Sequence, residues 1–396
     1  MLNFDNNATT PVAPEVLEEL IRVTRDIHGN SSSGHSIGVA AGDLLENCRK
    51  RVAKVLNAKL PSEIVFTSGG TESDNAAIRG CAWAMKDAGR GNHIITCAIE
   101  HRAVLAPCEW LAKHGYEVTV LGVDKNGRIS LDEFKKALRP QTILVSVMLA
   151  NNEIGTVQPI EQLGALARTH GFILHTDAVQ VAGKLPIDVQ ALGVHALSLS
   201  AHKFYGPKGV GILYLRDNTP YTPFMLGGTH EYNKRAGTVA VPQIAAMTTA
   251  LELVEKKRQS RGAEVKRLRD LLVQLTLKDV PGTHVNGDLN LCTPNTASLR
   301  FDGLYGGHLL RKLDDEGVLA SAGSACMWEQ TKPSHVLTAL GLTDAEGGST
   351  LRFSLGFDNT EDQVRELVVK LARLVPEIRK APPQAIRPPK ERVATH

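Results

Sequence analysis

Residues 142–179 read TILVSVMLANNEIGTVQPIEQLGALARTHGFILHTDAV. The apolar run at the start has the length of a buried strand, PIEQLGALARTHG has a helical pattern, and FILHTDAV is a second apolar run. Two buried strands joined by a helix form a βαβ unit with parallel strands. This stretch therefore predicts an α/β fold.

The same alternation extends outward from about residue 60 to residue 215. EIVFTS, HIITCAI and EVTVLGV each precede a helical pattern, and HALSLS and GVGILYL follow at shorter spacing. Strands that are continuous apolar runs are typical of sheets buried on both faces. The pattern predicts a mostly parallel sheet that helices cover on both sides.

A smaller unit follows the sheet. A long helical pattern at roughly 240–277 leads into a mixture of strand and helix patterns, which predicts an α+β domain. We predict a large domain of residues 15–260 and a small domain of residues 1–14 and 261–380. The Pro-rich, basic residues 381–396 have the composition of a disordered tail.

The overall composition is that of a globular protein. Of 396 residues, 42% are hydrophobic, and 45 Lys and Arg nearly balance 42 Asp and Glu. This balance argues against nucleic acid or an acidic membrane as the main partner. MLNFDNNATTPV has no signal-peptide pattern, the most apolar run is too short to span a bilayer, and the six cysteines form no CxxC pair. We therefore expect a cytoplasmic protein with free thiols.

Chemically useful side chains follow several of the predicted strands, where open α/β sheets bind ligands. After EIVF, residues 67–73 read TSGGTES and open a helix. Glycines let the backbone approach an anion, the helix N-terminus attracts it, and Thr71 adds a hydroxyl. The same residue types also form ordinary helix caps, so this stretch alone leaves both interpretations open.

Two further strands end in residues suited to one cofactor. Asp177, with Gln180 one turn later, follows FILHT, and His202 and Lys203 follow HALSLS. An aspartate here is either a cap or the partner of a protonated ring nitrogen, and the lysine is either a surface residue or an amine nucleophile. Together, an anion site, an acid and a reactive amine meet the needs of pyridoxal phosphate. Lys184 and Lys208 are weaker candidates because GKLP and GPKG read as turns.

At this point the sequence resembles the cysteine desulfurases of the NifS/IscS type, in the class-V aminotransferase family of fold-type I pyridoxal phosphate enzymes. The resemblance is carried, in order, by DNNATT (5–10), GNSSSGHSIG (29–38), FTSGGTESDN (66–75), EHRAV (100–104), ANNEIGTVQPI (150–160), HTDAVQ (175–180), SLSAHKFYGPKGVG (198–211), RAGT (235–238), GSAC (323–326) and LRFSLG (351–356). It implies a large domain with a seven-stranded, mostly parallel sheet and a smaller α+β domain.

The resemblance also implies roles for single residues. Lys203 is expected to form the covalent link to the cofactor aldehyde, Asp177 to pair with the ring nitrogen, and Gln180 to bind the phenolic oxygen. His101 is expected to stack on the ring, although a bare histidine in EHR is more often a helix cap or a surface residue. The expected phosphate ligands are Gly70, Thr71, Ser200 and His202, with Thr238 supplied to the partner subunit of a homodimer; Asn152 and Arg352 are expected to bind the substrate carboxylate.

Cys326 is the second expected chemical centre. It lies in SAGSACMWEQTKPSH, a stretch of small and polar residues that reads as a loop, where a thiol is accessible. By resemblance it takes the sulfur of L-cysteine as a persulfide while L-alanine is released. The sulfur then passes to an acceptor, of which an iron–sulfur cluster scaffold protein is the usual one in this family.

Several alternatives remain at this stage. Selenocysteine lyases and aminotransferases have the same fold, so either activity is an alternative. A different class of function is also open, in which the chain is a catalytically silent sulfur carrier or a scaffold partner. A dinucleotide-binding enzyme is disfavoured because no GxGxxG follows the first strand. A metal site is not expected, because the 14 histidines and six cysteines form no ligand-like cluster in the sequence.

Overall fold

The computed structural model describes residues 1–322 and 334–380. Its strands are β1 (Leu2–Asn3), β2 (Ile64–Thr67), β3 (His93–Cys97), β4 (Glu117–Leu121), β5 (Thr142–Ser146), β6 (Ile173–Asp177), β7 (Ala196–Ser200), β8 (Gly211–Leu215), β9 (Thr283–Val285), β10 (Thr296–Phe301), β11 (Val318–Leu319) and β12 (Thr350–Ser354). Its helices are α1 (Pro14–Asp26), α2 (Ser36–Leu56), α3 (Gly70–Asp87), α4 (Arg102–Ala112), α5 (Leu131–Ala137), α6 (Ile160–His170), α7 (Val189–Leu192), α8 (His230–Asn233), α9 (Val241–Asp279), α10 (Gly306–Asp315), α11 (His335–Ala339), α12 (Asp344–Gly348) and α13 (Glu361–Lys380).

Seven strands form the main sheet, in the order β2-β8-β7-β6-β5-β3-β4. All neighbours pair in parallel except β8, which runs antiparallel to both β2 and β7. The prediction of a mostly parallel seven-stranded α/β sheet is confirmed. The carboxyl ends of β2, β6 and β7 consequently lie at the same edge.

Burial follows position in the sheet. Every residue of β2, β3, β5, β6, β7 and β8 is buried, as the continuous apolar runs predict. The strand β4 differs, because Glu117 and Val120 are exposed. Among the described strands it pairs with β3 alone, at the outer edge of the sheet, where no second strand lies beside it.

The C-terminal part is built around a three-stranded antiparallel sheet, in the order β12-β10-β9. The chain start joins this part: β1 pairs in parallel with β11, and Asp5 bridges to Ser354 of β12. The N-terminal residues therefore pass from the small sheet directly toward the ends of the main sheet.

Helix α9 connects the two sheets. It runs unbroken for 39 residues, which is about 58 Å, and it packs against α1, α2 and α13. The proposed boundary at residue 260 falls inside this helix, and the division into two domains stays a prediction. In the described residues no helix is long and apolar enough to cross a membrane.

Candidate active site

The first group of site residues lies at the start of α3, directly after β2. Gly69 has φ of 151°, a conformation that side chains disfavour, and Gly70 is the first helical residue. A Cβ on Gly70 would lie 2.9 Å from Val179 Cγ2 and 3.3 Å from Ser200 Cβ, so a larger residue does not fit. The structure thus brings Gly70, Thr71 and Ser200 together around a helix N-terminus that suits an anion.

Asp177 ends β6 and is buried. Its Oδ1 accepts a hydrogen bond of 2.8 Å from the main-chain N–H of Val179. Burial raises the pKa of this carboxyl, while the nearby charges of His101 and Lys203 lower it. A buried carboxylate in this position is stabilised by a positive partner, which is the role expected for it toward a ring nitrogen.

Lys203 follows β7 in a single 3₁₀ turn, Ala201–Lys203. Its Nζ donates to the main-chain carbonyls of Asn7, at 2.8 Å, and Ala8, at 2.6 Å. Gln180 Nε2 donates to the same Asn7 carbonyl at 3.0 Å. The DNNATT segment therefore touches both side chains, a contact that the sequence reasoning did not assign.

His202 has a second contact with this N-terminal segment. Its Nδ1 lies 3.2 Å from Thr9 Oγ1, and its carbonyl accepts from the main-chain N–H of Thr10. Burial, together with the positive charges of Lys203 and Lys208, lowers the pKa of His202 to about 4. The imidazole is therefore neutral at pH 7 and can share a proton with a phosphate oxygen.

His101 is the N-cap of α4, where its Nδ1 accepts from the main-chain N–H of Ala103 at 3.1 Å. The side chain lines a cavity of about 430 Å³ together with Thr71 and Trp110. His101 is exposed toward this cavity, yet desolvation by the surrounding protein lowers its pKa, while the charge of Asp177 raises it and that of Lys203 lowers it. The capping contact does not exclude the ring-stacking role, which stays a prediction.

Arg352, the expected carboxylate ligand, lies on β12 and is only 2% exposed. Its Nη1 donates to the main-chain carbonyl of Asn152 at 2.9 Å, and its Nη2 contacts Asp5 Oδ1 at 2.7 Å. Its buried Nε has no hydrogen-bond partner among the described residues. The structure thus places Arg352 next to Asn152, and their binding of the substrate carboxylate stays a prediction.

Thr238 is exposed and follows the left-handed turn of α8. Three residues earlier, Arg235 forms an ion pair with Glu72 of α3, with Nε–Oε1 at 2.8 Å and Nη2–Oε2 at 3.2 Å. This pair ties the RAGT segment to the glycine-rich turn of the same chain. The contact of Thr238 with a partner subunit stays a prediction.

A buried polar network, which the sequence reasoning missed, lies beneath the site. His175 precedes Asp177 by two residues on β6, and its ring nitrogens contact Ser146 Oγ at 2.8 Å and Ser198 Oγ at 3.0 Å. Asp74 Oδ1 lies 3.6 Å from His175 Nε2. Burial raises the pKa of Asp74 well above its usual range, and the nearby charge of Asp177 raises it further.

Cys326 and the rest of its loop lie outside the described residues, as do residues 381–396. Of the other five cysteines, Cys48, Cys81, Cys97 and Cys108 are buried. Burial raises the pKa of Cys81 and Cys108 to about 12, which makes these thiols poor nucleophiles. The expectation that most of the five are buried is confirmed for these four, and their inertness stays a prediction.

The chemistry of these side chains fits pyridoxal phosphate. An amine, a buried carboxylate and a neutral histidine lie at or just after the ends of β6 and β7, at the edge of the sheet where β2 leads into the glycine turn, and a Cβ on Gly70 would obstruct this turn. These are the groups needed for the aldehyde, the ring nitrogen and the phosphate of this cofactor.

Comparisons with known proteins agree with this arrangement. The family model described as aminotransferase class-V matches residues 2–367. The chain is 44% identical to a cysteine desulfurase IscS of Methanosarcina thermophila over 96% of this chain and 93% of that protein. It is 42% identical to an IscS of Dictyoglomus turgidum over 96% of each.

Solved structures show the same likeness. A NifS-like protein superposes with a TM-score of 0.89 at 37% identity, covering 95% of this chain and 99% of that chain. A structure described as SspA in complex with cysteine superposes with a TM-score of 0.79 at 37% identity, covering 90% of this chain and 99% of that chain.

Proposed function

The chain belongs to the class-V aminotransferase family and is a cysteine desulfurase, and we propose that it converts L-cysteine to L-alanine with pyridoxal 5'-phosphate bound at Lys203. The observation that carries this proposal is the arrangement of Lys203 and Asp177 at the ends of adjacent parallel strands, β7 and β6, beside the Gly70 turn. When bound, pyridoxal phosphate supplies an electron sink for negative charge at the substrate Cα.

Lys203 and Asp177 would divide the chemistry between them. The amine of Lys203 holds the cofactor and, once released, takes the proton from the substrate Cα and later returns one. Asp177 accepts a hydrogen bond from the protonated ring nitrogen and keeps it charged. His101 lines a cavity beside Thr71, where it can stack on the ring and pass protons.

Gly70, Thr71, Ser200 and His202 would hold the phosphate. The N-terminus of α3 supplies main-chain N–H groups, and the neutral imidazole of His202 supplies a further polar contact. Arg352 and Asn152 would bind the substrate carboxylate, because a guanidinium presents paired N–H groups to a planar carboxylate. This contact orients the substrate amine toward the cofactor.

Cys326 would receive the sulfur. Its thiolate attacks the sulfur of the substrate, the Cβ–S bond of the substrate breaks, and a persulfide forms on Cys326 while L-alanine is left. The sum is L-cysteine plus a thiol giving L-alanine plus a persulfide, so no external oxidant is required. A thiol reductant or an acceptor protein then removes the outer sulfur.

We further propose a cytoplasmic homodimer in which Thr238 reaches the phosphate bound by the partner subunit. The exposed position of Thr238 and the link from Arg235 to Glu72 support this. The sulfur acceptor that we propose is an iron–sulfur cluster scaffold protein, in keeping with the IscS name of the curated relatives.

The test is to incubate the purified protein with L-cysteine, first with and then without a thiol reductant. We expect alanine and sulfide in equal amounts with reductant, and a persulfide mapped to Cys326 by peptide mass spectrometry without it. Cys326→Ser should keep the cofactor absorbance and lose the persulfide, whereas Cys292→Ser should behave as the unchanged protein. A keto acid in place of alanine, or a persulfide on another cysteine, would overturn the proposal.

A further inference from the structure

Lys184 is a second lysine at the site. Its Nζ donates to Gln180 Oε1 and to Asn7 Oδ1, both at 2.8 Å. It lines the same small cavity as Lys203, at the junction of the N-terminal segment with β12 and α9. Both amines thus contact Asn7, Lys203 through the main-chain carbonyl and Lys184 through the side chain.

The surroundings of Lys184 are unfavourable for a lysine. Burial lowers its pKa well below the usual range, and the positive charges of Lys203 and Arg352 lower it further. No carboxylate within the described ranges forms an ion pair with it, and its two acceptors are amide oxygens. A lysine held without a counter-ion costs stability, so its contacts indicate a role other than stabilising the fold.

Two contacts hold the side-chain amide of Gln180 in one orientation. The Asn7 carbonyl can only accept, so the atom facing it is the amide nitrogen, and the amide oxygen is left to accept from Lys184 Nζ. Gln180 Nε2 carries two N–H groups, and one of them donates to the Asn7 carbonyl. The second can donate to a further acceptor.

We propose that Lys184 is a positioning residue that fixes the side-chain amide of Gln180, so that its nitrogen and not its oxygen faces the phenolic oxygen of the cofactor. The inference rests on the proposed function, in which Gln180 binds that oxygen. With the amide turned over, two oxygens would face each other, and the negative charge of the phenolic oxygen would lose a donor.

The test uses Lys184→Met, which keeps most of the side-chain volume and removes the donor. We expect the cofactor to bind about tenfold more weakly, or worse, and the visible absorbance maximum of the holoenzyme to shift. The reason is that Gln180 would no longer donate its charge-assisted hydrogen bond to the phenolic oxygen. Lys113→Met, at an exposed position after α4, should change neither quantity. Thermal unfolding midpoints of all variants report whether each is folded.

The double variant Lys184→Met with Gln180→Ala decides how Lys184 acts. If it works through Gln180, the double variant has the absorbance maximum of Gln180→Ala alone, because contacting residues do not contribute additively. Shifts that add, or a Lys184→Met spectrum identical to that of the unchanged protein, would overturn the inference. If Lys184→Met does not fold, two other variants replace it. Lys184→Gln keeps a donor and should have the spectrum of the unchanged protein. Lys184→Glu has no donor when ionised and should have a changed spectrum.

The outcome is separable from that of the proposed function. Formation of alanine from L-cysteine and the cofactor absorbance of the unchanged protein are measured first. If either is missing, the proposed function fails; if both are present and the double variant behaves additively, only the role of Lys184 fails.

Discussion

Arg352 Nη2 lies 2.7 Å from Asp5 Oδ1, so the guanidinium expected to bind the substrate carboxylate already holds a carboxylate of its own chain. Nη1 is engaged by the Asn152 carbonyl, and the buried Nε is without a hydrogen-bond partner in the described part of the chain. An incoming carboxylate can therefore take Nε directly and must share or displace Asp5 at Nη2. Asp5 keeps the arginine oriented in the absence of substrate.

We predict that Arg352→Lys raises the KM for L-cysteine about tenfold or more. Lysine keeps the charge but has no planar pair of N–H groups for a carboxylate. The cofactor absorbance should be unchanged, because Arg352 contacts Asp5 and Asn152 and no proposed cofactor ligand. Arg300→Lys, on the neighbouring strand with its ion pair to Glu346, serves as control and should leave KM unaltered.

We also predict that Lys203 alone carries the covalent cofactor. Borohydride reduction followed by digestion should place the phosphopyridoxyl group on Lys203, and Lys203→Ala should lower alanine formation by about a thousandfold or more, since the nucleophilic amine is lost. A label on Lys184, the other amine of the cavity, would contradict this assignment.

The positions of strands and helices could be predicted because buried strands are continuous apolar runs and helices have a different period. The site residues at the ends of β2, β6 and β7 followed from the same reasoning, since parallel strands end at a common edge. The antiparallel direction of β8 could not be predicted, because GVGILYL is an apolar run like those of the parallel strands.

The missed features share a physical cause. Asn7 and Ala8 act through main-chain carbonyls, which leave no signature in the side-chain sequence. Lys184 was passed over because GKLP reads as a turn, and its contacts with Asn7 and Gln180 depend on tertiary packing. His175 resembles any strand residue until the neighbouring strands bring Ser146 and Ser198 to its ring.

The buried ion pair of Arg49 and Glu231 should be important for stability. Arg49 Nη1 lies 2.7 Å from Glu231 Oε2, and the two side chains are 2% and 1% exposed. Glu231 also accepts from the main-chain N–H of Phe66 on β2, which holds the left-handed turn before Thr238 against the main sheet.

Glu231→Gln keeps the shape and removes the charge, leaving Arg49 without its buried counter-ion. We expect the free energy of unfolding to fall by about 3–5 kcal/mol in denaturant titrations. Glu252→Gln breaks the half-exposed pair with Arg51 and should cost about 1 kcal/mol or less. An equal fall in the free energy of unfolding of the two variants would show that burial does not determine how much each ion pair contributes to stability.

His175 should make the stability depend on pH. Burial lowers its pKa to about 3 from an ordinary value of 6.5. Between these values the unfolded chain binds a proton on His175 that the folded chain does not. The free energy of unfolding therefore falls as the pH drops through this range, by up to about 1.4 kcal/mol per pH unit from this residue.

His175→Gln removes this proton linkage while keeping polar atoms near Ser146 and Ser198. The variant should be less stable at pH 7.5. The difference in free energy of unfolding between the two proteins should shrink as the pH is lowered from 6 to 4.5, because only the unchanged protein has to release a proton from His175 when it folds. Denaturant titrations at four pH values measure this difference. A deficit that stays constant with pH would mean that His175 takes up its proton equally in both states, contrary to the burial of its ring among Ser146, Ser198 and Asp74.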